Sequence, residues 1–265
     1  MTSFYLASVS YVGTRYSGFQ IQSTLPTIQG TIWNSLKNID PMVGLPSGAS
    51  RTDAGVHAED QKVFFKTEKP WDLTILKKAI QAYLHDDIQI NTIHAVPEDF
   101  TFKKAVVAKR YCYRLATGPQ RNPKENFHRW YLPGSFQIDL FEMNKALKYY
   151  LGTHDFSSFR ASECVALSPI KTLYRFELIE DSQGLSILFD GNQFLMHQIR
   201  ILTGTLVEFM KNKFTSDDLR SILVFKDRTK AGPTAPPHGL TLEKIWLDPA
   251  LGLNEPYNLV RPCID

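Results

Sequence analysis

The sequence predicts a mixed α/β (α+β) protein whose sheet is mainly antiparallel. Three observations carry that prediction. Strand-like alternation and helix-like periodicity succeed one another along the whole chain, two alternating runs adjoin across a short turn, and a similar order of elements is read in two successive stretches. The 265 residues, 43% hydrophobic and 22% charged, are enough for a sizeable core, in one large domain or two packed halves.

In the first stretch, "FYLASVSYV" alternates as a strand, and "TIQGTIWNSLKNI" has helical spacing with Thr27 placed to cap it. "QKVFFKTE" reads as a second strand. "DLTILKKAIQAYL" follows as a helix with Leu73, Leu76, Ile80 and Leu84 on one stripe, and "IQINTIHAV" is a third strand. The second stretch starts with the strand "KRYCYRLAT". A helix, "DLFEMNKALKYYL", turns Leu140, Met143, Leu147 and Leu151 inward. "TLYRFELIED" and "LSILFDGN" form a hairpin around Ser182 to Gly184. "FLMHQIRILTGTLVEFMKNK" is a long helix, "SDDLRSILVF" a shorter one capped by Ser216, and "GLTLEKIWL" the last strand. Between Thr117 and Phe136 lies a long loop, "TGPQRNPKENFHRWYLPGSF". Its Arg121, Lys124, His128, Arg129, Trp130 and Tyr131 mix positive charge with aromatic faces. Either they contact RNA, or the loop is a solvated connection with Trp130 and Tyr131 packed down.

Composition excludes several classes. No apolar run approaches the ~18 residues of a membrane span. The opening "MTSFYLASVSYVG" has neither the basic segment nor the apolar stretch of a signal peptide, so a cytoplasmic location is expected. Cys112, Cys164 and Cys263 are odd in number and far apart, which argues against a disulfide framework, and no compact metal-ligand spacing occurs. The net charge of +3 permits nucleic-acid binding without indicating it.

Four segments can carry chemistry. In "SRTDAGVHA" an extended backbone would project Arg51 and Asp53 to one side, and the small Ala54 and Gly55 would let a substrate approach the carboxylate. A neighbouring guanidinium would orient such a carboxylate. A tight turn with a structural ion pair explains the same residues. In "FLMHQIRILTGTLVEF", His197, Arg200 and Gly204 share a helix face, Arg200 being either a surface arginine or a site residue. "GTHDFSSFRAS" lacks a nucleophile elbow, and its hydroxyls with Arg160 suit phosphate or backbone groups. "KAGPTAPPHGLTL", with Gly232, Pro233, Pro236 and Pro237, reads as a structural turn.

Taken together these segments resemble the TruA family of tRNA pseudouridine synthases. "SRTDAGVHA" is similar to that family's catalytic motif. "YVGTRYSGFQIQ", "TIQGTIWNSL", "KRYCYRL", "LGTHDFSSFRAS", "FLMHQIRILTGTLVE" and "AGPTAPPHGLTL" resemble its other blocks in their expected order along nearly the whole chain. Val12 stands where the family more often has an acidic residue, Ser50 where glycine is common, and Gln198 where methionine is frequent.

The resemblance implies two ferredoxin-like or RRM-like halves, 1–105 carrying the aspartate and 106–265 completing the cleft, with one continuous, mainly antiparallel sheet flanked by helices. It implies Asp53 as the catalytic aspartate, Arg51 as its close neighbour, Tyr111 stacking on the target base, Arg200 pairing with Asp53, and Leu240 as an apolar wall. The implied reaction converts uridine to pseudouridine in the anticodon stem-loop of tRNA, at positions 38, 39 and 40; the alternatives are a pseudouridine synthase paralogue acting on another RNA, or a non-catalytic RNA-binding protein. The implied protein is a homodimer with tRNA as its partner and needs no cofactor, no metal and no membrane.

Overall fold

The computed structural model describes residues 2–134, 139–253 and 256–257; Cys263 and the end of the long loop lie outside them. The mixed α/β expectation holds. In chain order the first elements are β1 (Ser3–Tyr11), α1 (Ile28–Ile39), β2 (Ser47–Gly48), β3 (His57–Thr67), α2 (Leu73–Gln81), β4 (Ile88–Val96) and α3 (Phe102–Ala105). Then come β5 (Val106–Gly118), β6 (Trp130–Pro133), α4 (Leu140–Leu147), β7 (Gly152–Asp155), β8 (Ile170–Asp181), β9 (Gly184–Gly191), α5 (Gln198–Met210), α6 (Ser216–Phe225) and β10 (Leu240–Leu247). Most strand pairings within the two units are antiparallel, while β3 with β10 and β5 with β6 are parallel.

The chain folds into two compact units, Met1–Val107 with Thr241–Tyr257, and Ala108–Leu240. In the first the strand order is β4-β1-β3-β10, with β2 beside the far end of β3. The segment after residue 240 belongs to this unit because β10 pairs in parallel with β3, Thr241 opposite His57 and Leu242 opposite Ala58. Alternation places Tyr5, Ala7 and Val9 of β1 with Gln61, Val63 and Phe65 of β3 in the interior. Ile28, Ile32 and Leu36 of α1 and Leu76 and Ile80 of α2 complete that core, and the Ser35 hydroxyl donates to the Ile80 carbonyl at 2.6 Å, joining the two helices. Phe64, on the other face of β3, stacks on Phe4 and on Phe102 of α3, with ring centroids 6.2 and 5.8 Å apart.

The second unit has the order β5-β9-β8-β7, with β6 along β5. Phe176 and Phe189 stack at 4.6 Å across β8 and β9, and Tyr150 meets the edges of Phe159 and Phe176. Asn144 of α4 exchanges two hydrogen bonds with the backbone of Leu178, at 2.9 and 2.8 Å, fixing that helix on β8.

The structure refines several expectations. α2 stops at Gln81, so Leu76 and Ile80 are buried while Leu73 is exposed. α5 starts at Gln198 rather than Phe194, because His197 takes a left-handed conformation at φ 60° and ends the preceding turn. His197 is therefore the residue before the helix and not part of its face. The cap of α6 is Thr215, in a reciprocal box with Asp218, and not Ser216. The loop after Thr117 contains β6, which pairs Trp130 to Pro133 with Leu115 to Gly118.

Candidate active site

In the first unit the segment from Ser50 to His57 is pinned along its backbone. The Gln61 side chain closes a ring with Ser50, accepting from its N–H at 3.1 Å and donating to its carbonyl at 2.7 Å. The Tyr11 and Thr52 hydroxyls are hydrogen-bonded at 2.8 Å. The Thr52 carbonyl accepts from Phe19 N–H at 3.0 Å, and Gly55 N–H donates to the Tyr16 carbonyl at 3.3 Å. A turn closes from Val56 N–H to the Asp53 carbonyl at 3.2 Å. Two glycines permit this packing. A Cβ on Gly13 would lie 2.0 Å from the Val56 carbonyl oxygen, and one on Gly18, at φ +91°, would lie 2.9 Å from that of Thr52.

The burial pattern along this segment is the alternation of an extended chain: Arg51 exposed, Thr52 buried, Asp53 half-buried. Asp53 thus sits half-buried where its backbone is fixed. Beside it, burial pushes the Tyr11 phenol up to about 12, keeping it a protonated hydrogen-bonding group. The neighbouring 13–16 turn is tied down by Asp87, whose carboxylate accepts from the Tyr16 hydroxyl at 2.7 Å and from Arg15 at 2.7 and 2.9 Å.

The second unit carries the other three sequence-predicted residues. Tyr111, on β5, is buried and meets the edge of Phe194 at 5.3 Å, four residues before α5. Arg200, on α5, donates through Nε to the Ala235 carbonyl at 2.8 Å, while Ala235 N–H returns to the Arg200 carbonyl at 3.0 Å. Tyr113 donates its hydroxyl to the Pro236 carbonyl at 2.7 Å; burial raises its phenol, and the charge of Arg200 opposes that shift. Leu240 is buried at the start of β10, three residues past this proline pair. Gly204 makes the close packing possible, since a Cβ there would fall 1.7 Å from the Pro233 carbonyl oxygen. The structural reading of "KAGPTAPPHGLTL" is therefore correct: it is a brace for α5. On the strand of Tyr111, burial lowers the Lys109 ammonium to about 8.

Other motifs resolve toward structure. Arg160 donates to the Cys164 and Ala166 carbonyls at 2.6 and 2.7 Å, the backbone alternative for "GTHDFSSFRAS". Arg129 is buried, paired with Asp181 at 3.0 Å, and bonded to the Leu115 carbonyl, so it locks β6 against β5. Tyr131 donates to the Gly118 carbonyl, and Trp130 packs edge-on to Tyr113. Ser50, one of the departures from the family pattern, is held by Gln61, while Gln198 has a buried Nε2 with no hydrogen-bond partner. Sequence reasoning missed Tyr11, Thr52 and Gln61. The available signal was Gln61 itself, a polar residue in register with Val63 and Phe65 on the inward face of a strand.

No described helix is long and apolar enough to cross a membrane, and among the described residues no three His, Cys, Asp or Glu side chains are grouped to hold a metal ion.

Comparison with known proteins places these segments. A family model described as tRNA pseudouridine synthase matches residues 7–103 and 146–246, which include Arg51, Asp53, Arg200 and Leu240. The chain is similar to proteins named tRNA pseudouridine synthase A. One from Exiguobacterium sibiricum is 36% identical over 242 residues, covering 90% of this chain and 94% of the relative. One from Thermoanaerobacter sp. is 37% identical over 237 residues, covering 89% and 96%. A third, from Staphylococcus aureus, is 33% identical over 243 residues, covering 92% and 91%. Similarity of this extent, running through both compact units, means that the chain belongs to the tRNA pseudouridine synthase family and is an RNA pseudouridine synthase, an isomerase.

Proposed function

We propose that this enzyme converts uridine to pseudouridine in the anticodon stem-loop of tRNA, with Asp53 as the catalytic aspartate. The observation that carries the reading is the setting of Asp53, a half-buried carboxylate on a segment whose backbone is pinned from Ser50 to Val56. The reaction breaks the C1′–N1 bond, turns the base and joins C1′ to C5; the C5 proton leaves and N1 gains one. It is redox-neutral and consumes no water. A paired or stacked uridine hides the bond, so the nucleotide is everted into the site. Asp53 acts on the ribose, either as a nucleophile at C1′ or as a base at the C2′ proton, and both need an ionised, oriented carboxylate.

Arg51, exposed next to the aspartate, takes a phosphate of the RNA backbone. Tyr111 offers its ring to the base, Arg200 supplies a guanidinium held by Ala235, and Leu240 forms an apolar wall. The working unit is a homodimer with one tRNA lying across both subunits.

Asp53→Asn keeps the shape of the side chain and removes its charge. It is expected to abolish tritium release from tRNA labelled at uridine C5 while leaving tRNA affinity within about threefold, since the loss falls on the transition state. Substantial turnover by this variant refutes the assignment. Pseudouridine mapping of tRNA before and after treatment tests the target; modification confined to positions outside the anticodon arm would refute that part.

A further inference from the structure

The residues just before Asp53 are hydrogen-bonded by two side chains from other elements, Tyr11 and Gln61. Tyr11 ends β1 and Gln61 lies within β3, each buried on the inward face. Gln61 meets both backbone groups of Ser50, at 2.7 and 3.1 Å, as a neighbouring strand would. Tyr11 meets the Thr52 hydroxyl at 2.8 Å, and the Gln61 amide approaches the Tyr11 oxygen at 3.5 Å. The Tyr11 ring is itself held beside Phe19, centroids 6.5 Å apart, and Phe19 N–H donates to the Thr52 carbonyl. Residues 50 and 52 are thus fixed by side-chain bonds, immediately before the half-buried Asp53.

We propose that Tyr11 and Gln61 are positioning residues for the isomerisation, acting through Ser50 and Thr52 to hold the Asp53 carboxylate at one place and angle. The proposal rests on the reading of Asp53 as the catalytic aspartate. Its physical basis is the steep dependence of rate on geometry, in which a displacement of about 1 Å costs on the order of a hundredfold. Clamping the preceding backbone narrows the displacements open to a carboxylate on a turn with Ala54 and Gly55 beside it. The clamp is made of neutral groups, so it orients the aspartate without adding a charge to its surroundings.

The test uses shape-conserving changes in the full-length enzyme. Single-turnover rates are measured by tritium release from an unmodified tRNA transcript, with transcript affinity measured alongside by filter binding. Tyr11→Phe and Thr52→Val are each expected to slow the chemical step by roughly tenfold to a hundredfold, with affinity changed by less than about twofold. Thr52→Ser restores the hydroxyl and is expected to stay within about threefold of the parent. The double variant is expected to be no slower than the worse single one, because both remove the same bond. Rates within about twofold of the parent in both Tyr11→Phe and Thr52→Val overturn the proposal. So does a loss shared equally by Thr52→Ser, which would mark a packing role. Should Tyr11→Phe fail to fold, the contrast between Thr52→Val and Thr52→Ser decides alone. Asp53→Asn separates the two readings: full turnover there removes the aspartate assignment and this proposal with it. Loss there alongside full-speed Tyr11→Phe and Thr52→Val removes only the clamp.

Discussion

Single residues divide by whether their partners are near in sequence. Thr203 is fully buried in α5, and its hydroxyl has no hydrogen-bond partner. Thr203→Val keeps the branched shape and removes a stranded polar group, so it is expected to stabilise the protein by about 1 kcal/mol, read as a higher urea midpoint. Gln198 differs, because its Oε1 still accepts from Leu195 N–H at 2.8 Å while only Nε2 is idle. Asp53 and Arg51 were legible because their residue types stand together in a short extended stretch. The bond from Tyr11 to Thr52 was not, because it joins positions 41 apart that only strand pairing brings together. Arg129 shows the reverse error. It looked like one more cation in a basic loop, and no local pattern announced Asp181, which is 52 residues away.

At the scale of elements, period and length governed what could be read. β4 and the β8–β9 hairpin, with Asp181 opposite Gly184, fell where alternation placed them. α1 starts after Thr27, whose hydroxyl accepts from Gly30 N–H. β2, β6, β7 and α3 went unseen, since two to four residues cannot display a period. β6 was further hidden by prolines, which mark loops unless a neighbouring strand asks nothing of their missing N–H. The brace on α5 was half legible. "AGPTAPPHGLTL" read as rigid, yet nothing local tied it to Gly204. Gly204→Ala would drive a methyl into the Pro233 carbonyl, displacing the loop that holds Arg200 through Ala235. Expected are a loss of about 1–3 kcal/mol in chemical unfolding and a fall in turnover greater than the fall in tRNA affinity.

Across the whole molecule, buried phenols set the alkaline limit. Burial raises Tyr11 to about 12 and pushes Tyr16, Tyr113 and Tyr150 upward as well. Unfolded phenols ionise near 10, so above that pH the folded state keeps protons that the unfolded state releases. Their stabilisation is complete below about 10 and is lost as pH rises through the folded values. Lys109 acts with the opposite sign, adding stability between about 8 and 10.5, where only the unfolded lysine remains charged. In a base titration followed by phenolate absorbance, these four tyrosines are expected to ionise together with unfolding rather than before it; early, independent ionisation would contradict their burial. The pairing of β10 with β3 bears on how the protein is made. Synthesis delivers residues 1–107 well before β10, which supplies the partner for His57 and Ala58 and the Ile245 N–H that donates to Asp60 at 3.3 Å. The unit that holds residues 1–107 is therefore completed only after the chain of the second unit has been made. Until β10 arrives, the nascent chain carries an open strand edge next to the Ser50–His57 segment, a window in which chaperones, or a wrong neighbour, can reach it.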